Sequence, residues 1–231
     1  MKKIGIVGGL GPESTTEYYK GIISKFRQST DEPVYPEILL YSLNMYQFLG
    51  MVEARQWNEI AGLLLSSVDS LYRAGAEFAA IASNTPHIMF DAVQSKSPIP
   101  MISIVEATRA RAVGMALKRI GLMGTKFTMQ SDFYQKAFLQ KDLPIIVPKP
   151  EEQQEIHDKL MNEIELGIIM GSTRERFLEI IRRMMNEDSI DALVLGCTEL
   201  PLILDKDEYG IPFLDTTSIH VDSIVHYCRE G

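Results

Sequence analysis

Two short stretches carry the side chains best suited to chemistry. One is Ser83-Asn84-Thr85-Pro86-His87 and the other is Gly196-Cys197-Thr198-Glu199. Each closes or follows an apolar run, Glu77–Ser83 and Asp191–Gly196, with the length and composition of a buried strand. Two proton-active groups on opposite sides of one carbon suit stereoinversion: one removes a proton from one face, and the other returns a proton to the opposite face. The thiolate is a usable base, because the ordinary cysteine pKa of about 8.5 can be lowered by helix N-termini and cations. A short helix is expected over Thr198–Leu204, so backbone N–H groups would meet the Cys197 side chain. Asn84, Thr85 and Thr198 could donate to a carboxylate, and Glu199 could accept from an ammonium group. The same residues also suit plain N-capping, and a buried free cysteine is common packing. His87 could orient the Ser83 loop and His220 could approach it from the last helix, although capping or packing explains either histidine equally well.

The elements that must position these groups alternate between strand and helix. Strands are expected at Lys3–Gly9, Glu37–Leu43, Glu77–Ser83, Ile99–Ile104, Arg119–Thr125, Leu143–Pro148, Asp191–Gly196 and Ile211–Asp215. Between them the patterns read as helix over Pro12–Gln28, Val52–Ala74, a short helix opened by Pro86, Val105–Lys118, Gln130–Gln140, Glu151–Gly171, Thr173–Asn186 and Thr217–Glu230. Such alternation implies parallel sheets covered by helices on both faces. The order also repeats within the chain. Ile4 matches Ile120, Tyr18 matches Tyr134, Ser83 matches Cys197, and Ile99-Pro100 matches Ile211-Pro212, at an offset that shortens only slightly. A duplicated α/β unit is expected from this. In open parallel sheets, ligands sit beyond the carboxyl ends of the strands. Were the halves related by a pseudo-twofold axis, the loops Gly8–Ser14, Ser83–Thr85, Gly124–Thr128 and Gly196–Glu199 would converge, and Ser83 would face Cys197 across a ligand.

Composition narrows the function classes. The chain has 231 residues, 45% hydrophobic and 23% charged, with a net charge of −8. An acidic balance argues against a duplex nucleic-acid binder. No apolar run is long enough to span a bilayer, so no membrane partner is expected. The two cysteines, Cys197 and Cys228, form no CxxC pair, which suits a reduced cytoplasmic chain; Cys228 reads as packing. Gly9-Leu10-Gly11 opens like a dinucleotide fingerprint, but Ser14 stands where the third glycine belongs and the next strand leads to Asn44 rather than an acid. The four histidines lack ligand spacing, so no metal is expected.

The stretches IGIVGGLGPEST, SNTPH, IGLMGTKFTMQSDFY, GCTEL and IPFLDTTSIHVDSIV run almost end to end, and together they resemble the Asp/Glu racemase family. These are cofactor-independent amino-acid racemases, and the likeness is to the aspartate or broad-specificity branch. The resemblance implies an α/β fold of two pseudo-twofold-related flavodoxin-like lobes, each a parallel sheet flanked by helices, with the site in the cleft between them. The first lobe would take residues 1–98 plus 209–231, and the second 99–208. It further implies an acidic amino acid, aspartate or glutamate, as substrate, no cofactor, and a cytoplasmic homodimer. Cys197 carries over as a catalytic thiol. Asn84, Thr85, Thr198 and Glu199 carry over as substrate-binding neighbours, together with Gly9, Gly11 and Thr125. Arg55, Lys126 and Lys20 are the candidates for a side-chain carboxylate. One position departs from the family pattern: Ser83 stands where a second cysteine is usual. An alcohol is a far weaker acid than a thiol, so Ser83 needs help from His87, Glu199 or water. Three readings follow, namely a racemase with one strong and one weak side, a one-thiol decarboxylase of a malonate-like acid, and a weakly active amino-acid-binding protein.

Overall fold

A computed structural model describes residues 1–28 and 34–230 of the chain. It divides into two compact units, Met1–Ala107 with Thr217–Gly231, and Thr108–Thr216.

In the first unit the chain runs β1 (Ile4–Gly8), α1 (Pro12–Gln28), β2 (Ile38–Ser42), α2 (Met45–Glu53), α3 (Trp57–Arg73), β3 (Phe78–Ile81), α4 (Phe90–Gln94) and β4 (Met101–Ile102), and α5 (Ile104–Gly114) starts there and continues into the second unit. The second runs β5 (Ile120–Met123), α6 (Lys126–Gln130), α7 (Phe133–Leu139), β6 (Ile145–Ile146), α8 (Pro150–Asn162), α9 (Gly171–Asp188), β7 (Ala192–Leu195) and β8 (Phe213–Asp215). The closing helix α10 (Thr216–Arg229) returns to the first unit.

All strand pairs are parallel, in the orders β2-β1-β3-β4 and β6-β5-β7-β8. Adding four to each strand number of the first sheet gives the second. Two parallel four-stranded sheets flanked by helices therefore realise the duplication read from the sequence. Ile4 and Ile120 each open the first strand of a unit, and Ser83 and Cys197 each lie two residues past the end of its third.

The central strands β1, β3, β5 and β7 are buried along their whole length, as parallel strands covered on both faces must be. Alternation sends Ile4, Ile6, Phe78 and Ala80 toward Tyr18, Ile22 and Phe26 of α1 and Val221, Ile224 and Val225 of α10. Val7, Ala79 and Ile81 face Ile60, Leu64, Val68 and Leu71 of α3. In the second unit, Met123, Leu193 and Leu195 pack on Ile156 and Leu160 of α8 and Phe177, Ile181 and Met184 of α9.

Several element expectations need correction. The helix expected over Val52–Ala74 is α3, and a separate helix that was not expected, α2, precedes it. Asn44 caps α2 by accepting from the backbone of Tyr46 and Gln47, and Arg55, at φ 54°, ends it in the left-handed region before α3 begins. The helix expected over Gln130–Gln140 is α6 followed by α7, with Thr125 capping the first and Ser131 extended between them. The strand expected over Ile99–Ile104 pairs only at Met101–Ile102, because α5 already starts at Ile104. The helix expected over Thr198–Leu204 is one 3-10 turn, Leu200–Leu202.

Candidate active site

In the second unit, Gly196 carries β7 to its end by donating its N–H to the Met123 carbonyl at 2.7 Å. A Cβ at Gly196 would stand 2.8 Å from Leu122 and 3.2 Å from the Met123 carbonyl, so the close approach of β5 and β7 requires glycine there. Cys197 follows, 7% exposed and part of the hydrophobic core. Its carbonyl accepts from Leu200 N–H and opens the 3-10 turn. Its thiol donates to Glu199 Oε2 at 2.9 Å, and the Thr198 hydroxyl donates to the same oxygen at 2.8 Å.

A backbone N–H, that of Glu199, meets the thiol as expected and favours the thiolate, but burial and the Glu199 carboxylate outweigh it. Burial pushes the Cys197 thiol well up, and the Glu199 charge beside it pushes it further. The thiol keeps its proton at neutral pH and is a hydrogen-bond donor to a carboxylate. Glu199, 5% exposed, is committed to these two donors rather than open to an ammonium group.

A third group joins them that the sequence reading did not single out. After α8 the chain makes a 3-10 turn, Ile164–Leu166, pinned by the buried Ile164 and ended by Gly167 at φ 76°. The turn brings one Glu165 oxygen, one Glu199 oxygen and the Cys197 sulfur within 4.8 Å of one another. Burial raises the Glu165 carboxyl, and the Glu199 charge and hydrogen bond add to it, to about 7. Glu163, two residues earlier, is held by Lys159 and Thr173 and lowered instead. The three donors have spacing that a cation could use, whereas the expectation of no metal rested on the histidines. With its proton on and aimed at Glu199, however, the thiol forms a hydrogen-bonded chain rather than an anionic ligand set. Thr125 lies beside this loop: it caps α6, and a Cβ on neighbouring Gly124 would come 3.0 Å from the Gly196 carbonyl.

In the first unit, Ser83 is half-buried past β3, and its hydroxyl makes no hydrogen bond among the described residues. Its carbonyl accepts from His87 Nδ1 at 2.9 Å, while His87 Nε2 accepts from Ile104 N–H at 3.2 Å. These partners fix a neutral ring with the proton on Nδ1. Burial, then the neighbouring His220, push His87 down to about 3. His220 donates from Nε2 to the Ile102 carbonyl at 2.9 Å and accepts at Nδ1 from Tyr18 Oη at 2.7 Å; burial lowers it to about 4. Both rings thus spend both nitrogens on bonds that hold the fold, leaving none to relay a proton to the Ser83 hydroxyl.

Gly9, at φ 77°, occupies a turn where a Cβ would meet the Leu43 carbonyl at 2.2 Å, and its N–H donates to Thr15 Oγ1 at 2.8 Å. Gly11, at φ 124°, completes the turn, and Ser14 Oγ donates to the Ala82 carbonyl, tying it to the end of β3. Asn84 is buried, and Thr85 opens the 3-10 turn Thr85–Met89. The predicted residues therefore form two strand-end groups. One is Gly9, Gly11, Ser83, Asn84, Thr85 and His87, and the other is Thr125, Cys197, Thr198 and Glu199. His220 is joined to Tyr18 in the first unit. Of the three basic candidates, Lys20 pairs with Glu17, Lys126 donates to Gln154, and Arg55 is exposed at the α2–α3 junction.

A family model described as Asp/Glu/hydantoin racemase matches residues 7–224. The chain belongs to that family. It is therefore a racemase, an isomerase of amino acids. A broad-specificity amino-acid racemase from Bacillus subtilis is 25% identical over 225 residues, covering 96% of each chain. A glutamate racemase from Exiguobacterium sibiricum is 27% identical over 182 residues, covering 75% of this chain and 65% of that protein. An aspartate racemase homologue from Pyrococcus horikoshii superimposes with a TM-score of 0.86 at 35% identity, over 99% of both chains. Within the racemase family, the strand-end groups around Cys197 and Ser83 become the candidate chemistry. Among the described residues, no helix is long and apolar enough to cross a membrane.

Proposed function

We propose that this racemase inverts the Cα of a free amino acid by proton transfer at two faces, with Cys197 as the main acid–base group and Ser83 at the other. The observation that carries the reading is the Cys197 thiol, buried past β7 and donating to Glu199 at 2.9 Å. As an acid, the protonated thiol is ready. To act as a base, it passes its proton along that hydrogen bond to the Glu199 carboxylate, and the thiolate takes the Cα proton. The turnover leaves the shifted proton on Glu199 and takes one from Ser83, so exchange through water returns a proton to Ser83 and frees Glu199 to close the cycle. In the reverse direction Glu199 returns the proton to the thiolate after delivery. Ser83 is the weaker side. A hydroxyl with no base bonded to it gives and takes protons slowly unless water or a group of the substrate assists. Gly11, Asn84, Thr85 and Thr125 are the donors for the α-carboxylate, while Gly9 shapes the turn and Thr198 holds Glu199.

No bound cofactor takes part in this scheme. We read the enzyme as a cytoplasmic homodimer, and the names of the glutamate racemases it resembles make an acidic amino acid, aspartate or glutamate, the first substrate to test. The groups around Cys197 bear on that substrate class and are taken up below. The deciding experiment is chiral analysis of turnover by Cys197→Ala. Loss of racemisation by at least about a thousandfold with an unchanged circular dichroism spectrum is expected. A variant that still racemises would remove Cys197 from the chemistry.

A further inference from the structure

Glu165 and Glu199 place two carboxyl groups against the Cys197 sulfur, with all three contact atoms within 4.8 Å of one another. Glu199 spends Oε2 on the thiol and on Thr198. Glu165 interacts with Glu199 and with the Cys197 thiol, and no ion pair or hydrogen bond among the described residues joins a lysine or arginine to either acid. The two carboxyls lie against each other, and burial with the Glu199 charge raises Glu165.

We propose that Glu165 selects the side chain of the substrate, and that this racemase acts on amino acids with a second cationic group, of the lysine or ornithine kind, in preference to aspartate or glutamate. The inference rests on the reading of Cys197 as the group that reaches Cα. A carbon within transfer reach of the thiol lies on the order of 3.5 Å from the sulfur, and so within about 8 Å of Glu165. That span suits the methylenes of a basic side chain. A cationic end group would pair with an ionised Glu165 and relieve its repulsion with Glu199. A side-chain carboxylate would instead add further negative charge beside a partly buried acidic pair, which like-charge repulsion and desolvation both oppose. The residues that follow Glu165 point the same way. Leu166, Ile168, Ile169 and Met170 are all exposed, and an apolar stretch beside a carboxyl matches an aliphatic stem that ends in a cation.

The test compares kcat/KM for lysine, ornithine, methionine, aspartate and glutamate in the wild type, in Glu165→Gln and in Glu165→Lys. The wild type should prefer lysine or ornithine to glutamate by at least about tenfold. The ratio of lysine to methionine turnover should fall about tenfold in Glu165→Gln, and the ratio of glutamate to lysine should rise in Glu165→Lys. These are ratios within one protein, so a general loss of folded enzyme does not move them. Equal loss for all substrates in Glu165→Gln would overturn the proposal and assign Glu165 to the α-ammonium or to the thiol. Wild-type turnover of glutamate or aspartate matching that of lysine would also overturn it. Should no amino acid be racemised, the racemase mechanism fails separately. Thermal shift by lysine, present in wild type and absent in Glu165→Gln, would still support the selectivity, and its absence in both would overturn it.

Discussion

Cys197 shows how local chemistry departs from motif chemistry. The Gly196-Cys197-Thr198-Glu199 stretch marks the thiol as a candidate from sequence, because that residue type lies just past a buried apolar run. Its protonation state was not legible there. That state depends on where the Glu199 carboxyl points, and the carboxyl turns back onto the thiol two residues earlier instead of outward to a ligand. Glu165 was illegible for a different reason. It lies on a turn after α8, far from Cys197 in the chain, and only the packing of Ile164 brings it near. The thiol environment makes a direct prediction. Burial is the larger cause of the raised thiol and the Glu199 charge the next. Glu199→Gln removes that charge while keeping an acceptor, so the thiol should ionise more readily and alkylate with iodoacetamide several-fold faster at pH 8 than in the wild type. An unchanged rate would mean that burial alone sets the thiol.

Among the elements, the β-strands and the long helices α1, α3 and α10 were readable because continuous apolar runs and helical periodicity are strong local signals. The break between α2 and α3 was not, since Arg55 adopts a left-handed backbone that sequence ordinarily marks with glycine or asparagine. The two buried histidines belong to this scale as well. They join α1, α10, the start of α5 and the loop after β3 through Tyr18, Ile102, Ile104 and Ser83. Both titrate lower in the folded chain, at about 3 and about 4, than the ordinary value near 6.5. Below pH of about 6.5 the unfolded chain therefore binds protons that the folded chain refuses. Stability is fully present above that value and is lost as pH falls toward the folded values. The urea midpoint should fall steadily from about pH 6.5 to pH 4. His220→Gln, whose amide can still accept from Tyr18 and donate to Ile102, should flatten that fall. An identical slope in the variant would show that carboxylates, not these rings, govern acid unfolding.

Across the whole molecule, duplication was the most legible feature. Four matched positions in order anticipated two sheets of identical strand order, and the equivalence of Ser83 and Cys197 follows from it. What duplication does not supply is chemical equality. One strand end carries a buried thiol bonded to a carboxylate, and the other a hydroxyl whose neighbouring histidine is already spent on backbone atoms. A racemase built this way should be lopsided, fast where Cys197 takes or gives the critical proton and slow where Ser83 must. The measurement that tests this most directly is exchange of the Cα proton in D₂O. Each enantiomer of lysine, aspartate and glutamate is followed by NMR with chiral analysis of the product. Deuterium should enter Cα with inversion, faster from one enantiomer than from the other, and should fail to enter with Cys197→Ala. Exchange with retention alone, or exchange that survives in Cys197→Ala, would contradict a two-sided transfer led by Cys197.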